Sequence, residues 1–464
     1  MDVTAPVARL ATAAALMLRL LTARSLQPSH VAALLRADDA GLHLIGTDGE
    51  VTVHLRVPAT VHTPGEVTVP RRAVAETLTT LDAADARLTV QGGRLAIRVP
   101  GARFALPSLP DAAPLTVRLP PAHGTVTGDD LRAAAVPVAG AASREHALPM
   151  FTGVRLRTHD SALTLLATDR FRLAAASIPW HATLPPSATP PPSATLPPSA
   201  TLPPSATVPA HGDSAAAGMD TPAHGATADS AVQADSAVQA RNAVRAGNDN
   251  PAGSAVLAGS EAPAATGAPA GAGDAGGAGA RVEALVPAAM LARAAQQLGR
   301  VPAVHVHAGD DVFALSWDDG SITTATIGGG YPDAQLSRLL DIAPACTVEV
   351  DADALAHAVD RATAYGGPHG RVTLQAIDGA LLVRADDPLT GESEQTVKAT
   401  VDSGHTIRAF QGRLLLDALR AFSHHTVQLR IQEGMRATAF TAHLPAATLD
   451  YLVVPLRTPP PTDT

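Results

Sequence analysis

Leu42-His43-Leu44-Ile45-Gly46-Thr47-Asp48 and Leu163-Thr164-Leu165-Leu166-Ala167-Thr168-Asp169 are two versions of one pattern, 121 residues apart. A weaker third version, Leu381-Leu382-Val383-Arg384-Ala385-Asp386-Asp387, comes 218 residues after the second. Between these two the composition breaks, from about His181 to Ala280. That stretch opens on a hexad repeat, Ser-Ala-Thr-Leu-Pro-Pro, with serines at Ser187, Ser193, Ser199 and Ser205, and continues as Ala/Gly/Pro-rich sequence. Set it aside and the second spacing also falls near 120 residues. Another landmark keeps the same period. Val69-Pro70, Val286-Pro287 and Phe410 each precede a helical pattern, over Arg71–Leu81, Ala288–Leu298 and Arg413–Phe422. Two landmarks with one period predict three related domains, 1–122, 123–330 and 331–457, followed by a flexible tail at 458–464.

Each repeat opens on an Ala/Leu-rich helical segment: Val7–Ala23, Asp129–Ala142 and Asp353–Tyr365. Alternating strands follow, such as Val51-Thr52-Val53-His54-Leu55-Arg56-Val57 after the turn residues Thr47-Asp48-Gly49. A second helix and closing strands complete the unit, as in Arg87–Val90 and Leu95–Val99 around Gly92-Gly93. Helix, strands, helix, strands, three times over, is an α+β fold. In the 181–280 stretch, two prolines per hexad forbid helix and central strand. The remainder has too little bulky apolar surface to offset the entropy of ordering, so a disordered insertion in the second domain is expected.

Hydrophobic residues make up 46% of the 464 and aromatics only 3%, so the cores are built from Leu, Val, Ala and Ile. The net charge of −9 argues against a protein that coats nucleic acid with its whole surface, but it permits one basic face. A single cysteine, Cys346, excludes a disulfide framework and a cysteine-based zinc site. With no signal-peptide pattern and no run of 18 apolar residues, a soluble cytoplasmic protein without membrane contact is expected.

Catalytic signatures are missing: there is no G-x-x-x-x-G-K-[ST], no H-E-x-x-H and no G-x-S-x-G. His305 and His307 alternate on one strand face, which reads more simply as a solvated face than as two metal ligands. Asp129-Asp130 sits at a helix start, Asp386-Asp387 at a strand end and His424-His425 at a helix end, all places where such charges serve structure. The expectation is a binding protein, not an enzyme, without cofactor or metal. The arginines are more informative. Arg9, Arg19 and Arg24 lie in the first helical region, with no acid between Val3 and Arg36. Arg71 and Arg72, Arg293 and Arg300, Arg413 and Arg420 recur at the second helices, and Arg361 and Arg371 at the third repeat's first helix. Recurrence in three repeats predicts one basic helical surface that contacts a polyanion's backbone without reading its sequence.

The most specific motifs are Leu148-Pro149-Met150-Phe151-Thr152-Gly153-Val154, then Ala167-Thr168-Asp169-Arg170-Phe171-Arg172-Leu173-Ala174, and Tyr451-Leu452-Val453-Val454-Pro455-Leu456-Arg457. Gly46-Thr47-Asp48-Gly49-Glu50, Val69-Pro70-Arg71 and Tyr331-Pro332-Asp333 support them. With these the chain resembles the bacterial sliding clamp, the β subunit of DNA polymerase III, everywhere except the insertion and the tail. The resemblance implies a head-to-tail homodimer whose six domains encircle duplex DNA, with helices lining the hole. DNA-facing residues would then be Arg24, Arg71, Arg72, Arg293, Arg300, Arg361, Arg413 and Arg420. It also implies a pocket between the second and third domains for short motifs of the polymerase III catalytic subunit, the clamp loader and other clamp-binding proteins. Its floor would be Leu173, Pro332, Leu339, Val453, Val454 and Leu456, with Pro455 in the same run. Phe151, Thr168, Arg172, Arg338, Gln411, Leu414 and Arg457 would surround it. The ring interface would set Phe104 and Leu106 against Ala364 and Tyr365. The chain departs from the family's pattern by one extra residue between Pro332 and Leu339, by the seven residues after Arg457, and by the small Ala364. A divergent copy that acts as a protein-interaction scaffold without encircling DNA is the alternative reading.

Overall fold

The computed structural model describes residues 1–22, 27–109, 119–183, 281–402, 406–443 and 447–457. Arg24, positions 184–280 of the expected insertion and the 458–464 tail lie outside the described residues. The expected start of the insertion at 181 is corrected, because His181–Ala182 is a short strand paired with Ala122–Val126.

Six helices form three pairs, one pair per repeat. They are α1 (Val7–Leu20) with α2 (Arg71–Thr79), α3 (Gly128–Gly140) with α4 (Ala288–Leu298), and α6 (Ala352–Thr363) with α7 (Gly412–Arg420). The sequence pattern explains the packing: α1 buries Val7, Leu10, Ala13, Ala14, Met17 and Leu20, an i, i+3, i+4 stripe whose alanines admit a close neighbour. Helix starts are set locally. Pro6, Pro70 and Pro287 hold the extended residue before α1, α2 and α4, while Thr127 and Asp351 cap α3 and α6 by accepting the N–H of Asp130 and Ala354.

The repeated Thr-Asp pair ties off a hairpin. In the first repeat it joins strands Gly41–Thr47 and Val51–Val57, and in the second Ala162–Thr168 and Arg172–Pro179. The Thr47 hydroxyl donates to the Val51 carbonyl (2.9 Å) and accepts the Gly49 N–H, while Asp48 Oδ1 accepts the Val51 N–H (2.9 Å). Thr168 likewise donates to the Arg172 carbonyl (2.6 Å), and Asp169 Oδ1 accepts the N–H groups of Phe171 and Arg172. In the third repeat Asp387 alone accepts from Leu389 and Thr390. These are side-chain turns that fix a hairpin from within its own sequence. Each needs a left-handed residue, supplied by Gly49 (φ 95°), Arg170 (φ 79°) and Gly391 (φ 94°). Burial alone would raise the Asp48 carboxyl, but hydrogen bonds from Thr22, Val51 and Glu50 hold it below the usual carboxylate range.

Among the described residues, three antiparallel sheets of five, nine and twelve strands carry the helix pairs. Two of the sheets cross repeat boundaries. Val51–Val57 pairs with Gly320–Ala325, joining the first and second repeats, and Arg172–Pro179 pairs with Thr448–Val453, joining the second and third. One sheet face packs on the helices and the main core, and the other faces away from them. The segment that joins the second and third repeats contains a helix the sequence reading did not foresee, α5 (Asp333–Leu340), which spans the stretch with the expected extra residue. No helix among the described residues is long and apolar enough to cross a membrane.

Candidate functional site

At the second-to-third junction a separate apolar cluster stands on the face turned away from the main core. It contains Leu166, Leu173, Ala175, Leu336, Ile342, Ala437, Ala439 and Leu452, with half-buried Tyr331, Leu339, Leu340 and Val454 against it. Strand register brings them together: Leu173 lies opposite both Thr168 and Leu452, Leu166 opposite Ala175, and Ala439 opposite Leu452. Helix α5 lays Leu336 and Leu339 over this patch. Its position is fixed by Arg155, opposite Leu166 on the same face, whose Nε and Nη2 reach Asp333 Oδ2 at 3.2 and 3.0 Å and which also bonds Glu283. Asp333 is the first residue of α5, so the ion pair holds the helix by its end. The Tyr331 hydroxyl is buried beside this pair without a hydrogen-bond partner among the described residues, and burial pushes its pKa up.

Of the residues expected at the pocket, the structure gathers Leu173, Leu339 and Val454, and Pro332 caps α5 by accepting the Leu336 N–H (3.1 Å). Others are corrected. Val453 points to the opposite face, into the main core, and Leu452 takes its place. Leu414, on α7, is also in the main core. The Thr168 hydroxyl is consumed by its turn. Arg172 shares Val453's face, so its guanidinium turns away from the cluster and binds Asp169 (2.9 Å) and Asp417 of α7 (2.7 Å). Leu456 lies outside the cluster and donates its N–H to the Ala409 carbonyl (2.7 Å), beside buried Pro455 and half-buried Gln411. Phe151 is half-buried, while Arg338 and Arg457 are exposed. The sequence reading missed Leu166, Leu336 and Leu452; the amphipathic run Asp333–Leu340 was the signal that could have found Leu336.

On the helical side, Arg72, Arg300, Arg361, Arg413 and Arg420 are exposed and Arg293 is half-exposed. Their tethers are weak or partial: Arg72 pairs with Glu76 one turn on, Arg361 meets Gln395, and Arg420 reaches acids only at 3.8 and 3.9 Å. Arg71 is a correction. It is 4% exposed, and its guanidinium bonds the carbonyls of Thr47 (3.2 Å) and Thr22, locking the end of α1 to the first Thr-Asp turn.

Among the open strand edges of the described residues, two lie at the residues expected on the ring interface. Ala102–Pro107, carrying Phe104 and Leu106, is the last strand of the five-stranded sheet and among the described residues pairs only with Arg94–Val99. In the third repeat, Gly391–Lys398 pairs with Ala380–Asp387 on one side, and only Ala399–Asp402 of the same strand finds Thr347–Val350 on the other. Exposed Ala364 and Tyr365 follow α6, and Tyr365 approaches Gly391 at the start of this half-open edge.

Sequence models of three domains of one family match in order: the DNA polymerase III beta subunit N-terminal domain over residues 1–113, its central domain over 125–191 and its C-terminal domain over 338–457. Among curated proteins, the chain is 34% identical over 172 residues to the beta sliding clamp of Streptomyces coelicolor, covering 37% of this chain and 46% of that protein. It is 34% identical over 164 residues to the beta sliding clamp of Micrococcus luteus (34% and 53% of the two chains). It is 32% identical over 148 residues to the beta sliding clamp homolog GriR of Streptomyces muensis (32% and 40%). The matched stretches thus span about half the length of these relatives. Solved structures share the fold: the DNA polymerase sliding clamp of Bacillus subtilis superposes with a TM-score of 0.71 at 17% identity, covering 99% of this chain and all of that one. The Pseudomonas aeruginosa sliding clamp bound to griselimycin gives 0.71 at 19% identity, with the same coverage.

Proposed function

The chain belongs to the DNA polymerase III β-subunit family, and from that membership we propose that it is a processivity clamp: a homodimer that encircles duplex DNA and tethers the polymerase. The observation that carries this reading is that two open strand edges fall in the first and the third repeat, at opposite ends of the chain's repeat order. Sheets run without a break across both junctions inside the chain, leaving Ala102–Pro107 in the first repeat and Gly391–Lys398 in the third to pair with a second copy head to tail. On this reading the repeats are bounded near 122 and 330. The exposed arginines at the helix pairs (Arg72, Arg293, Arg300, Arg361, Arg413 and Arg420) meet phosphates without reading bases. The protein works in the cytoplasm and performs no chemistry of its own within the nucleotidyltransferase complex. The apolar cluster under α5, flanked by Arg338 and Arg457, docks short motifs of the polymerase III catalytic subunit, the clamp loader and other clamp-binding proteins. Clamp-loader-dependent retention on circular but not linear DNA tests encirclement, and a mass of twice 47.1 kDa tests the dimer. Binding of a polymerase-derived peptide, weakened about tenfold by Leu339→Ala, tests the docking face. A monomer that binds this peptide but slides off circular DNA would favour the scaffold reading.

A further inference from the structure

A cleft of about 520 Å³ opens on the helical side where α3, α4 and α7 meet, on the sheet face opposite to the α5 cluster. Its rim carries three arginines from two repeats: Arg132 on α3, Arg144 just beyond it, and Arg420 on α7. None is firmly neutralised. Arg144 has no ion pair or hydrogen bond among the described residues, Arg132 meets only Asp129 three residues back, with both side chains largely exposed, and Arg420 stands 3.8 and 3.9 Å from its acids. Among the described residues, the one carboxylate lining the cleft, Asp417, is already engaged by Arg172 at 2.7 Å. The cleft therefore keeps a surplus of positive charge with unspent donors.

Its wall has a second chemistry. Pro137 lies inside α3 and has no N–H, so the Ala133 carbonyl loses its i+4 donor, and Ala133, Val136 and Pro137 all line the cleft together with Tyr451. Gln296 beside this apolar wall suits a ring that carries its own donors and acceptors. The volume falls within the range of small-ligand sites, about 300–1,000 Å³. We infer that this cleft binds a nucleotide unit, its phosphate on Arg132, Arg144 and Arg420 and its sugar and base against the α3 wall. The phosphate arrives either on a free mononucleotide or on an unpaired nucleotide of a strand.

The site shares Arg420 with the DNA-facing arginines of the clamp reading but adds Arg132, Arg144 and the α3 wall, and its test needs neither a ring nor a loader, so its failure is distinguishable from failure of that reading. Gly140 provides a probe: it lines the cleft at the end of α3, and a Cβ placed there meets nothing within 4 Å, so Gly140→Trp adds bulk at the cleft from an open backbone position. Deoxyadenosine monophosphate, deoxyadenosine, inorganic phosphate and a 5′-phosphorylated hexanucleotide are titrated by calorimetry against the full chain, Gly140→Trp and Arg132→Glu/Arg144→Glu. The expected result is submillimolar, saturable binding of the monophosphate, weaker by at least about tenfold in both variants, with an unchanged thermal midpoint for Gly140→Trp. A tighter hexanucleotide identifies a strand as the source, and a tighter or equal monophosphate a free nucleotide. No saturable binding, or undiminished affinity in Gly140→Trp, overturns the site. Deoxyadenosine or inorganic phosphate binding as tightly as the monophosphate overturns the nucleotide assignment.

Discussion

Removing Arg172 should cost far more than removing Arg420, although both reach the same carboxylate. Arg172 is 8% exposed and binds Asp169 Oδ2 at 2.9 Å and Asp417 Oδ2 at 2.7 Å, so it fastens the second repeat to α7 of the third. Burial opposes its charge, yet the Tyr451 hydroxyl, Asp169 and Asp417 together hold its proton more firmly than usual. Breaking a buried pair from one side costs about 3–5 kcal/mol, because the other charge is left without a partner. Here Asp417 is 35% exposed and can rehydrate, and Asp169 keeps the N–H bonds of its turn, which lowers the expected cost of Arg172→Met to about 2–3 kcal/mol. Asp417→Ala leaves Arg172 its Asp169 partner and should cost about 1–2 kcal/mol, with a coupling energy of about 1 kcal/mol between the two sites. Arg420 is 64% exposed and 3.8 Å from Asp417, so Arg420→Ala should cost less than about 0.5 kcal/mol. Urea denaturation of five proteins measures all of these: the parent chain, Arg172→Met, Asp417→Ala and their double variant close the cycle, and Arg420→Ala is the fifth; loss of the clasp should also separate unfolding of the third repeat from the rest. A coupling energy of zero, or an Arg420 variant as costly as Asp417→Ala, would refute the reasoning.

Acidification should destabilise the fold through His54 and His307, whose pKa values are lowered from 6.5, mainly by burial. Below pH 6.5 the unfolded chain takes up protons that the folded chain resists, so stability falls as pH drops toward 5, with a slope of up to about one proton per histidine; His54→Gln/His307→Gln should flatten that slope in pH-dependent melts. Exchanging the left-handed turn residues should act asymmetrically: Gly49→Arg should cost about 2 kcal/mol or more because a Cβ there meets His30 at 2.6 Å, whereas Arg170→Gly should lie between neutral and about 1 kcal/mol stabilising. A loss above about 1 kcal/mol in Arg170→Gly would mean that the Arg170 side chain, not the backbone angle, matters there. Phe104→Arg or Tyr365→Arg should halve the solution mass from twice 47.1 kDa while the melting temperature holds, and an intact dimer in both would move the interface elsewhere.

What the sequence determined by itself was everything encoded over short range. The helix pairs fall within three residues of their expected ends, because apolar periodicity, prolines and capping residues act within a single turn. The threefold period follows from Thr47-Asp48, Thr168-Asp169 and Asp387, whose side chains close their own hairpins and need no partner from afar. Tertiary structure decided which face each residue shows. Val453 and Leu452 are both apolar and both buried, so alternation marks two faces without saying which one meets the helices, and a slip of one residue exchanges them. Arg71 and Arg72 are chemically identical neighbours on one helix, yet one is spent on the carbonyls of Thr47 and Thr22 and the other is left to solvent. The short helix α5 was hidden for a related reason: its apolar stripe acquires meaning only against Leu173 and Leu452, which strand pairing brings together across about 280 residues of chain. The cleft between α3, α4 and α7 likewise exists only once two repeats are joined, because its arginines are distant in sequence and each alone reads as an ordinary solvated side chain.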